Sequence, residues 1–171
     1  MIAAAALTAL VAAGPGAAAT PHRTVAHARC DTGTVAADAT SARGERLGPL
    51  RFNAGWDSYA TWPNMEASRH RDGTFYAKSP LFVDRGTIAS LSIAPAYRDD
   101  ADFNYAKGAN GVSVLSDVVR IRSCARRTAF FSGGLVVRDP TCVLIEARER
   151  GSRRVHRRMV SINMGANCPQ L

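Results

Sequence analysis

Short runs of alternating apolar and polar residues occur from Gly73 onward, and they limit the folds open to this chain. In the run VVRIR, Val119 and Ile121 alternate with Arg120 and Arg122. Because successive side chains of a β-strand point to opposite faces, this period of two predicts a strand with one buried face. Turn residues separate the runs and no helical pattern intervenes, so the sequence predicts an all-β protein.

Six or so strands are predicted after residue 73, and we expect them to form a small antiparallel β-sandwich, immunoglobulin-like in general architecture, over residues 73–171. In the fifth, Val143, Ile145 and Ala147 are the predicted inward set. The runs are TFYAKSPLFV (interrupted at its proline), GTIASLSIAP, VSVLSDVVRIRSC, TAFFSGGLVVRD, TCVLIEARER and RRVHRRMVSINMG. The stretch AYRDDADFNYAKGANG between the second and third runs is predicted to be a polar loop.

Residues 20–72 form a different segment, rich in Ala, Thr, Ser, Gly and Arg and without a sustained period. We expect an irregular N-terminal arm there. Trp56 and Trp62 lie near its end and have two interpretations. They pack the arm against the following domain, or they form an exposed aromatic platform for a glycan or peptide.

Residues 1–19 have the features of a signal peptide. An uncharged apolar run from Ile2 to Ala13 is followed by a Gly-Pro break and small residues, which favours cleavage after Ala19, although the usual basic residues at the start are missing. The run is too short to span a bilayer, which needs about 20 apolar residues. The sequence therefore predicts a secreted, extracellular protein with no transmembrane segment in the mature chain.

Four cysteines fit an exported protein, because an even number in such a chain usually forms disulfides. If the last two strands form a hairpin, Cys142 and Cys168 lie close together, which leaves Cys30 to pair with Cys124 and tie the arm to the sheet. Other pairings stay open, because Gly133-Gly134 could bend the intervening strand and bring Cys124 within reach of Cys142.

Five pieces of the chain, in order, resemble a group of uncharacterised secreted β-domain proteins of high-GC Gram-positive bacteria. They are KSPLFV, GTIASLSI, VVRIRSC, FFSGGLVVRDPTCVLIEAR and MGANC, covering about residues 73–168. The most specific piece runs from the Gly-Gly pair through an apolar strand to Pro-x-Cys. The resemblance implies a shared exported β-domain and supplies no activity.

No coherent catalytic set is visible in the sequence. No serine has a G-x-S-x-G environment, so a hydrolase would need a site assembled from distant residues such as His70, Asp99 and Asp102. Asp100, Asp102 and Asn104 alternate like the first ligands of a calcium loop, but the turn glycine and the final glutamate of that loop are absent. Glycines 133 and 134 precede a strand rather than a helix, which indicates a bulge or close backbone approach instead of a phosphate loop. We expect no metal and no cofactor.

Arginine is concentrated in RERGSRRVHRR, residues 148–158, within a chain of formal net charge +8. If Gly151-Ser152 is the turn of the final hairpin, these arginines cluster at one end of the domain: Arg148, Arg150, Arg153, Arg154, Arg157 and Arg158. Clustered guanidinium groups bind carboxylate or phosphate bidentately. Alternatively, the arginines only protect an edge hairpin from aggregation. His156, beside two of them, is interpreted as a surface histidine.

Three functions remain open at this stage. The first is an exported non-enzymatic protein that binds an anionic cell-envelope polymer or acidic protein through the arginine-rich hairpin. Nucleic acid is not expected as a partner, because the aromatic residues typical of single-strand binders are missing from the hairpin. The second function is a small secreted hydrolase. The third is an inhibitor or toxin-like effector, which would present an exposed, disulfide-braced loop.

Overall fold

The computed structural model describes residues 24–31, 44–53, 60–61, 64–65, 67–108, 110–164 and 168–169. Within these ranges the chain forms β-strands joined by turns, with one 3-10 turn at Pro95–Tyr97, which confirms the predicted all-β fold. The strands are β1 (Val25–Arg29), β2 (Gly44–Leu47), β3 (Leu50–Asn53), β4 (Ala60–Thr61), β5 (Asn64–Met65), β6 (Ser68–Arg69), β7 (Phe75–Lys78), β8 (Leu81–Val83), β9 (Ile88–Ile93), β10 (Ala101–Lys107), β11 (Ser113–Ser116), β12 (Val118–Arg122), β13 (Ala129–Phe131), β14 (Gly134–Val137), β15 (Thr141–Glu149) and β16 (His156–Ile162).

Three sheets pack together around one apolar core. Their strand orders are β1-β12-β9-β15-β16-β5-β4, β11-β10-β14-β7-β6 and β13-β8-β3-β2. Most neighbours are antiparallel, as predicted, but β1 pairs with β12 and β5 pairs with β16 in parallel. The largest fully buried side chains come from all three sheets: Phe52, Phe103, Leu50, Met65, Leu81, Leu91, Ile93, Ile121, Leu135, Ile145, Ile162 and Val83.

The alternating runs have the predicted inward faces. Leu91 and Ile93 are fully buried while the intervening serines are partly exposed. Val143, Ile145 and Ala147 are likewise fully buried. The alternation succeeds here because each of these strands has one face on the core and the other in solvent.

TFYAKSPLFV, predicted to be interrupted at its proline, forms β7 and β8, which belong to different sheets. Two further runs, predicted as uninterrupted strands, are also divided between sheets. VSVLSDVVRIRSC forms β11 and β12, which separate at Asp117, and TAFFSGGLVVRD forms β13 and β14, which separate at Ser132-Gly133. At the second break the close approach of backbone expected for the Gly-Gly pair is confirmed, because a Cβ at residue 134 would overlap the carbonyl oxygen of Ala77. Each break moves the chain from one sheet to another, which a period of two cannot indicate.

The predicted polar loop AYRDDADFNYAKGANG is wrong over its central part, since residues 101–107 form β10. Ala101, Phe103 and Tyr105 are buried, whereas Asp102 and Asn104 are partly exposed. The run therefore alternates like its neighbours, with acids and an amide in the outward positions. Their polarity obscured the strand in the sequence.

The segment 20–72 is less irregular than its composition predicts. Its described residues form six short strands, and four of these pair directly with strands after residue 73: β1 with β12, β3 with β8, β5 with β16, and β6 with β7. Ala26 and Ala28 of β1 and Leu50 and Phe52 of β3 are buried, so these two strands contribute apolar side chains to the protein interior, whereas both residues of β6 are exposed. The predicted signal peptide, Trp56 and Trp62 lie outside the described residues.

Both preferred disulfides are confirmed. Cys30 and Cys124 are bridged with their Cα atoms 4.9 Å apart, and Cys142 and Cys168 with theirs 5.6 Å apart. The first bridge follows from the parallel pairing of β1 with β12, because the two cysteines come just after the paired residues Arg29 and Arg122. The second joins the start of β15 to the chain beyond β16, as the predicted hairpin requires.

Candidate anion-binding surface

The arginine-rich stretch forms the connection between β15 and β16. The two strands are antiparallel, and Ala147 lies opposite His156. The amide of Ser152 donates to the carbonyl of Glu149 at 3.1 Å, and Gly151 has φ of 83°. A positive φ at the third position of a four-residue turn is the reason for glycine there. The predicted turn at Gly151-Ser152 is confirmed, within a connection that is longer than a two-residue hairpin loop.

Four of the six predicted site arginines lie at this connection and are exposed: Arg148, Arg150, Arg153 and Arg154. The amide of Arg154 donates to the hydroxyl of Ser152 at 3.1 Å, which shapes the chain between the turn and β16. The amide of Arg150 donates to the carbonyl of Ile88 at 2.8 Å and holds the connection against β9. These hydrogen bonds therefore fix the backbone positions from which the side chains of Arg150 and Arg154 extend.

The other two arginines point to opposite faces of the sheet. Arg157 lies on the outward face, where its Nε donates to Glu146 at 2.8 Å. Arg158 is on the core side, and its Nη1 lies 3.2 Å from Oε2 of Glu45 in a charge contact without hydrogen-bond alignment. Arg157 and Arg158 thus have carboxylate partners within the protein, which separates them from the four arginines at the connection.

His156 is also on the core side of β16. Its ring packs against Gly48, where φ is 59° and a Cβ would overlap the imidazole. The histidine is partly buried by the β2–β3 turn. This contact gives His156 a packing role at the end of the hairpin.

Sequence reasoning did not include the arginines on neighbouring strands in the site, although the structure brings them to the same face. Arg148 lies opposite Ser90 of β9, and Ser90 lies opposite Arg120 of β12. Two residues along, Arg122 lies opposite Ile88. The alternation in VVRIR predicts that Arg120 and Arg122 point outward, but only the strand order shows that they flank the same strand as Arg148.

Further arginines collect at this end of the molecule because three connections meet there. The amide of Gly86 donates to the carbonyl of Cys124 at 2.9 Å, and the amide of Ser123 donates to the carbonyl of Thr87 at 3.0 Å. Arg150 links the final hairpin to the same region through Ile88. We call this region the basic end, and its exposed arginines are Arg29, Arg85, Arg122, Arg126, Arg127, Arg148, Arg150, Arg153 and Arg154.

Aspartates collect at the other end of β9 and β12, away from the basic end. Asp117, between β11 and β12, is buried; Thr24 donates to its Oδ1 at 3.0 Å, and the Nε of Arg98 lies 2.9 Å from its Oδ2. Asp99, Asp100, Asp102 and Asp139 lie in or beside the connections at this end. Burial, and then the charge of Asp117, raise the pKa of Asp102, while Arg138 lowers it. Five aspartates therefore gather at this end, which we call the acidic end, together with Arg98 and Arg138. At the basic end the nine exposed arginines outnumber the acids nearby, which are Asp31, Asp84 and Glu149.

The residues considered for a hydrolase are not brought together. Asp102 is on β10, and β14 and β7 lie between that strand and β6, which places His70, just after β6, roughly 14 Å away by strand spacing. The ring of His70 instead makes an edge contact with Tyr76 at 5.7 Å between centroids. A general base must lie within hydrogen-bonding distance of the group with which it exchanges a proton, so His70 is too far from Asp102 to act with it.

The calcium interpretation fails because Asp102 and Asn104 are on a strand, and Asn104 accepts a hydrogen bond from the amide of Gly134 at 2.7 Å. Among the described residues, no group of three or more histidine, cysteine, aspartate or glutamate side chains is placed to hold a metal ion. No helix in the described ranges is long and apolar enough to cross a membrane.

A disulfide-braced loop, the feature expected of an inhibitor, occurs directly after Cys124. Residues 125–127 are exposed, and the Cys30–Cys124 bridge anchors their first end. Arg126 and Arg127 occupy two of the three positions, so this loop adds positive charge to the basic end.

No protein-family model matches this chain, and neither does any curated protein or solved structure.

Proposed function

We propose that this protein is an exported, non-enzymatic domain that binds an anionic cell-envelope polymer through its basic end. The observation that carries the proposal is the convergence of exposed arginines from the β15–β16 connection, the turn after β8 and the loop after Cys124. Like charges held close together repel one another, and a bound polyanion removes that cost.

The two disulfides support the exported location. Such bridges persist in oxidising compartments outside the cytosol, where the predicted signal peptide would direct the chain. An anionic envelope polymer is abundant there, whereas nucleic acid is not an ordinary partner. The location and the charge of the surface thus favour the same class of ligand.

The first test changes two of the four exposed arginines of the hairpin, Arg153 and Arg154. We would measure binding of the oxidised protein to isolated cell-wall polymer between about 50 and 200 mM salt. The test variant carries Arg153→Ser and Arg154→Ser. It leaves Arg157 and Arg158 in place, because both have carboxylate partners in the fold.

A matched control removes the same charge from another surface. Arg69 and Arg71 are both exposed. Arg69 pairs with Phe75 across the sheet, Phe75 pairs with Val137, and Val137 pairs with Ala101, so this row of residues lies at the acidic end. The proposal predicts salt-sensitive binding that weakens about tenfold in the hairpin variant and little in an Arg69→Ser, Arg71→Ser variant. Equal weakening in both variants would show that only net charge matters, and absence of binding by the native protein would refute the proposal.

A further inference from the structure

On the outward face of the seven-stranded sheet, arginines flank β9 on both sides, and outside these two lines Arg29 of β1 lies opposite Arg122. On the outward face, Ser90 of β9 has Arg120 on one side and Arg148 on the other. In the next row, Ile88 has Arg122 on one side, and Arg150 on the other side donates its amide to the carbonyl of Ile88. We call this feature the β9 track, with Ile88 and Ser90 as its floor and the four arginines as its sides.

The dimensions of the β9 track follow from strand geometry. Its sides are two strand spacings apart, roughly 10 Å between Cα atoms, and its two rows recur at roughly 7 Å along β9. The floor is low, since Ser90 is small and Ile88 is partly buried. Arginine side chains from both sides can therefore converge above β9 on a chain that lies along the strand.

The track has a defined end. In the row beyond Ser90, Ser92 lies between Val118 and Glu146, and Glu146 accepts a hydrogen bond from Arg157. A carboxylate thus stands where the next arginine of the β15 side would be, and its charge repels an anion. The open direction of the track leads to the basic end, so a polymer bound there would continue toward Arg153 and Arg154.

The outward face of these strands also limits the chemistry of the ligand. Its described side chains in β1, β12, β9 and β15 are aliphatic residues, serine, arginine, histidine, glutamate and the disulfide-bonded Cys142, with no phenylalanine, tyrosine or tryptophan among them. Nucleobases and sugar rings are usually held by stacking on such rings. The face offers charge and small hydroxyl groups instead, which suits a flexible anionic chain.

Two arginines on opposite sides of each row favour phosphate over carboxylate. A carboxylate presents its two oxygens in one plane, whereas the two non-bridging oxygens of a phosphodiester lie on a tetrahedral phosphorus, so two guanidinium forks can approach them from directions that do not share a plane. We propose that the β9 track binds a linear polyol phosphate, whose phosphodiesters lie between Arg120 and Arg148 and between Arg122 and Arg150. This inference rests on the proposed function and names its ligand class and binding element.

Two variants test the track itself. Arg120→Ser with Arg148→Ser removes both sides of one row. Ser90→Asp keeps every arginine but places a carboxylate on the floor between them, where it takes the position of the ligand's anion. Both changes are on the outward face, and the thermal unfolding midpoint of each variant checks that the fold is intact. Ser132→Asp, at an exposed serine outside the track, is the matched control for the added charge.

The probe is a short poly(glycerol phosphate), compared with polyglutamate and a single-stranded oligonucleotide of equal charge. We expect poly(glycerol phosphate) to bind most tightly, and both track variants to bind it at least tenfold more weakly than the native protein or Ser132→Asp. Tighter binding of polyglutamate or of the oligonucleotide would overturn the ligand class. Native affinity in both track variants, with loss in the Arg153→Ser, Arg154→Ser variant, would overturn the track and leave the proposed function standing. If native protein binds neither the probe nor cell-wall polymer, both proposals fail.

Discussion

Gly134 lies directly against the backbone of Ala77, and a Cβ at position 134 would overlap the carbonyl oxygen of that alanine. The two residues belong to paired strands, β14 and β7, so neither backbone can move without disturbing the sheet. We expect Gly134→Ala to lower the free energy of unfolding by about 2 kcal/mol or more, through the strain of overpacking. Urea denaturation measures the change.

Ser132→Ala is the matched control, since Ser132 is exposed two residues away. It should leave the free energy of unfolding within about 0.5 kcal/mol of the native value. A native midpoint in Gly134→Ala would mean that the two strands can separate locally at no cost, contrary to the packing described above.

Tyr105 fixes the chain between β7 and β8. Its buried hydroxyl donates to the carbonyl of Ser79 at 2.6 Å, and burial raises the pKa of Tyr105, so the hydroxyl remains a donor throughout the accessible pH range. Tyr105→Phe should destabilise the protein by about 1–2 kcal/mol, because it leaves a buried carbonyl with one hydrogen bond fewer. Tyr76→Phe, at a partly exposed tyrosine, should cost less in the same denaturation series.

The two disulfides should differ in their contributions. They enclose sequence separations of 94 and 26 residues. In the chain-entropy model the longer loop gives about 4.7 kcal/mol and the shorter about 3.5 kcal/mol. We therefore expect Cys30→Ala with Cys124→Ala to lower the unfolding free energy more than Cys142→Ala with Cys168→Ala. The opposite order would indicate that the last hairpin depends on its bridge for more than loop closure.

Arg158 should behave as a structural residue, unlike Arg153. Its guanidinium lies 3.2 Å from the carboxylate of Glu45 on β2 and helps join two sheets, whereas Arg153 is exposed at the hairpin connection. Arg158→Ser should cost up to about 1 kcal/mol of stability, as expected for a partly exposed ion pair. Arg153→Ser should cost little. Equal thermal midpoints for the two variants would contradict this division of the arginine cluster.

The sequence predicted most of the strands, because each has one face in the core and one in solvent. It did not predict the changes of sheet at Asp117 and at Ser132-Gly133, because the local pattern does not indicate which strand the chain pairs with next. It missed β10 because Asp102 and Asn104 made an alternating strand resemble a loop. These are differences of long-range pairing, to which local patterns are insensitive.

The candidate site shows the same limit. Charge density in the sequence drew attention to Arg148–Arg158, and the turn at Gly151 was predicted correctly. Strand order then divided that cluster, placing Arg157 and Arg158 on opposite faces with acidic partners. It also joined Arg148 to Arg120, 28 positions away in sequence, across a single intervening strand. The periodic pattern of a single strand cannot indicate that Arg120 and Arg148 lie on either side of β9.

Asp102 and Asp72 should give pH dependences of opposite sign. Burial and the charge of Asp117 raise the pKa of Asp102 above its ordinary 3.8, against the attraction of Arg138. The folded state therefore favours the protonated carboxyl, and ionisation of Asp102 reduces stability as pH rises through its folded pKa. Asp102→Asn should raise the thermal midpoint at neutral pH, and the gain should shrink as pH falls through the folded pKa of Asp102 and disappear once pH is below 3.8.

Asp72 is the internal control for this effect. Hydrogen bonds from the hydroxyl and amide of Thr74, at 2.7 and 3.0 Å, lower the pKa of Asp72 below 3.8. Its contribution to stability is present above the unfolded pKa and is lost as pH falls through the folded one. Asp72→Asn should therefore lower the midpoint at neutral pH and approach native behaviour in acid. Thermal unfolding between about pH 2 and 7 compares both variants with the native protein. If both changes shift the midpoint in the same direction at neutral pH, general removal of negative charge explains the result and the local environments do not.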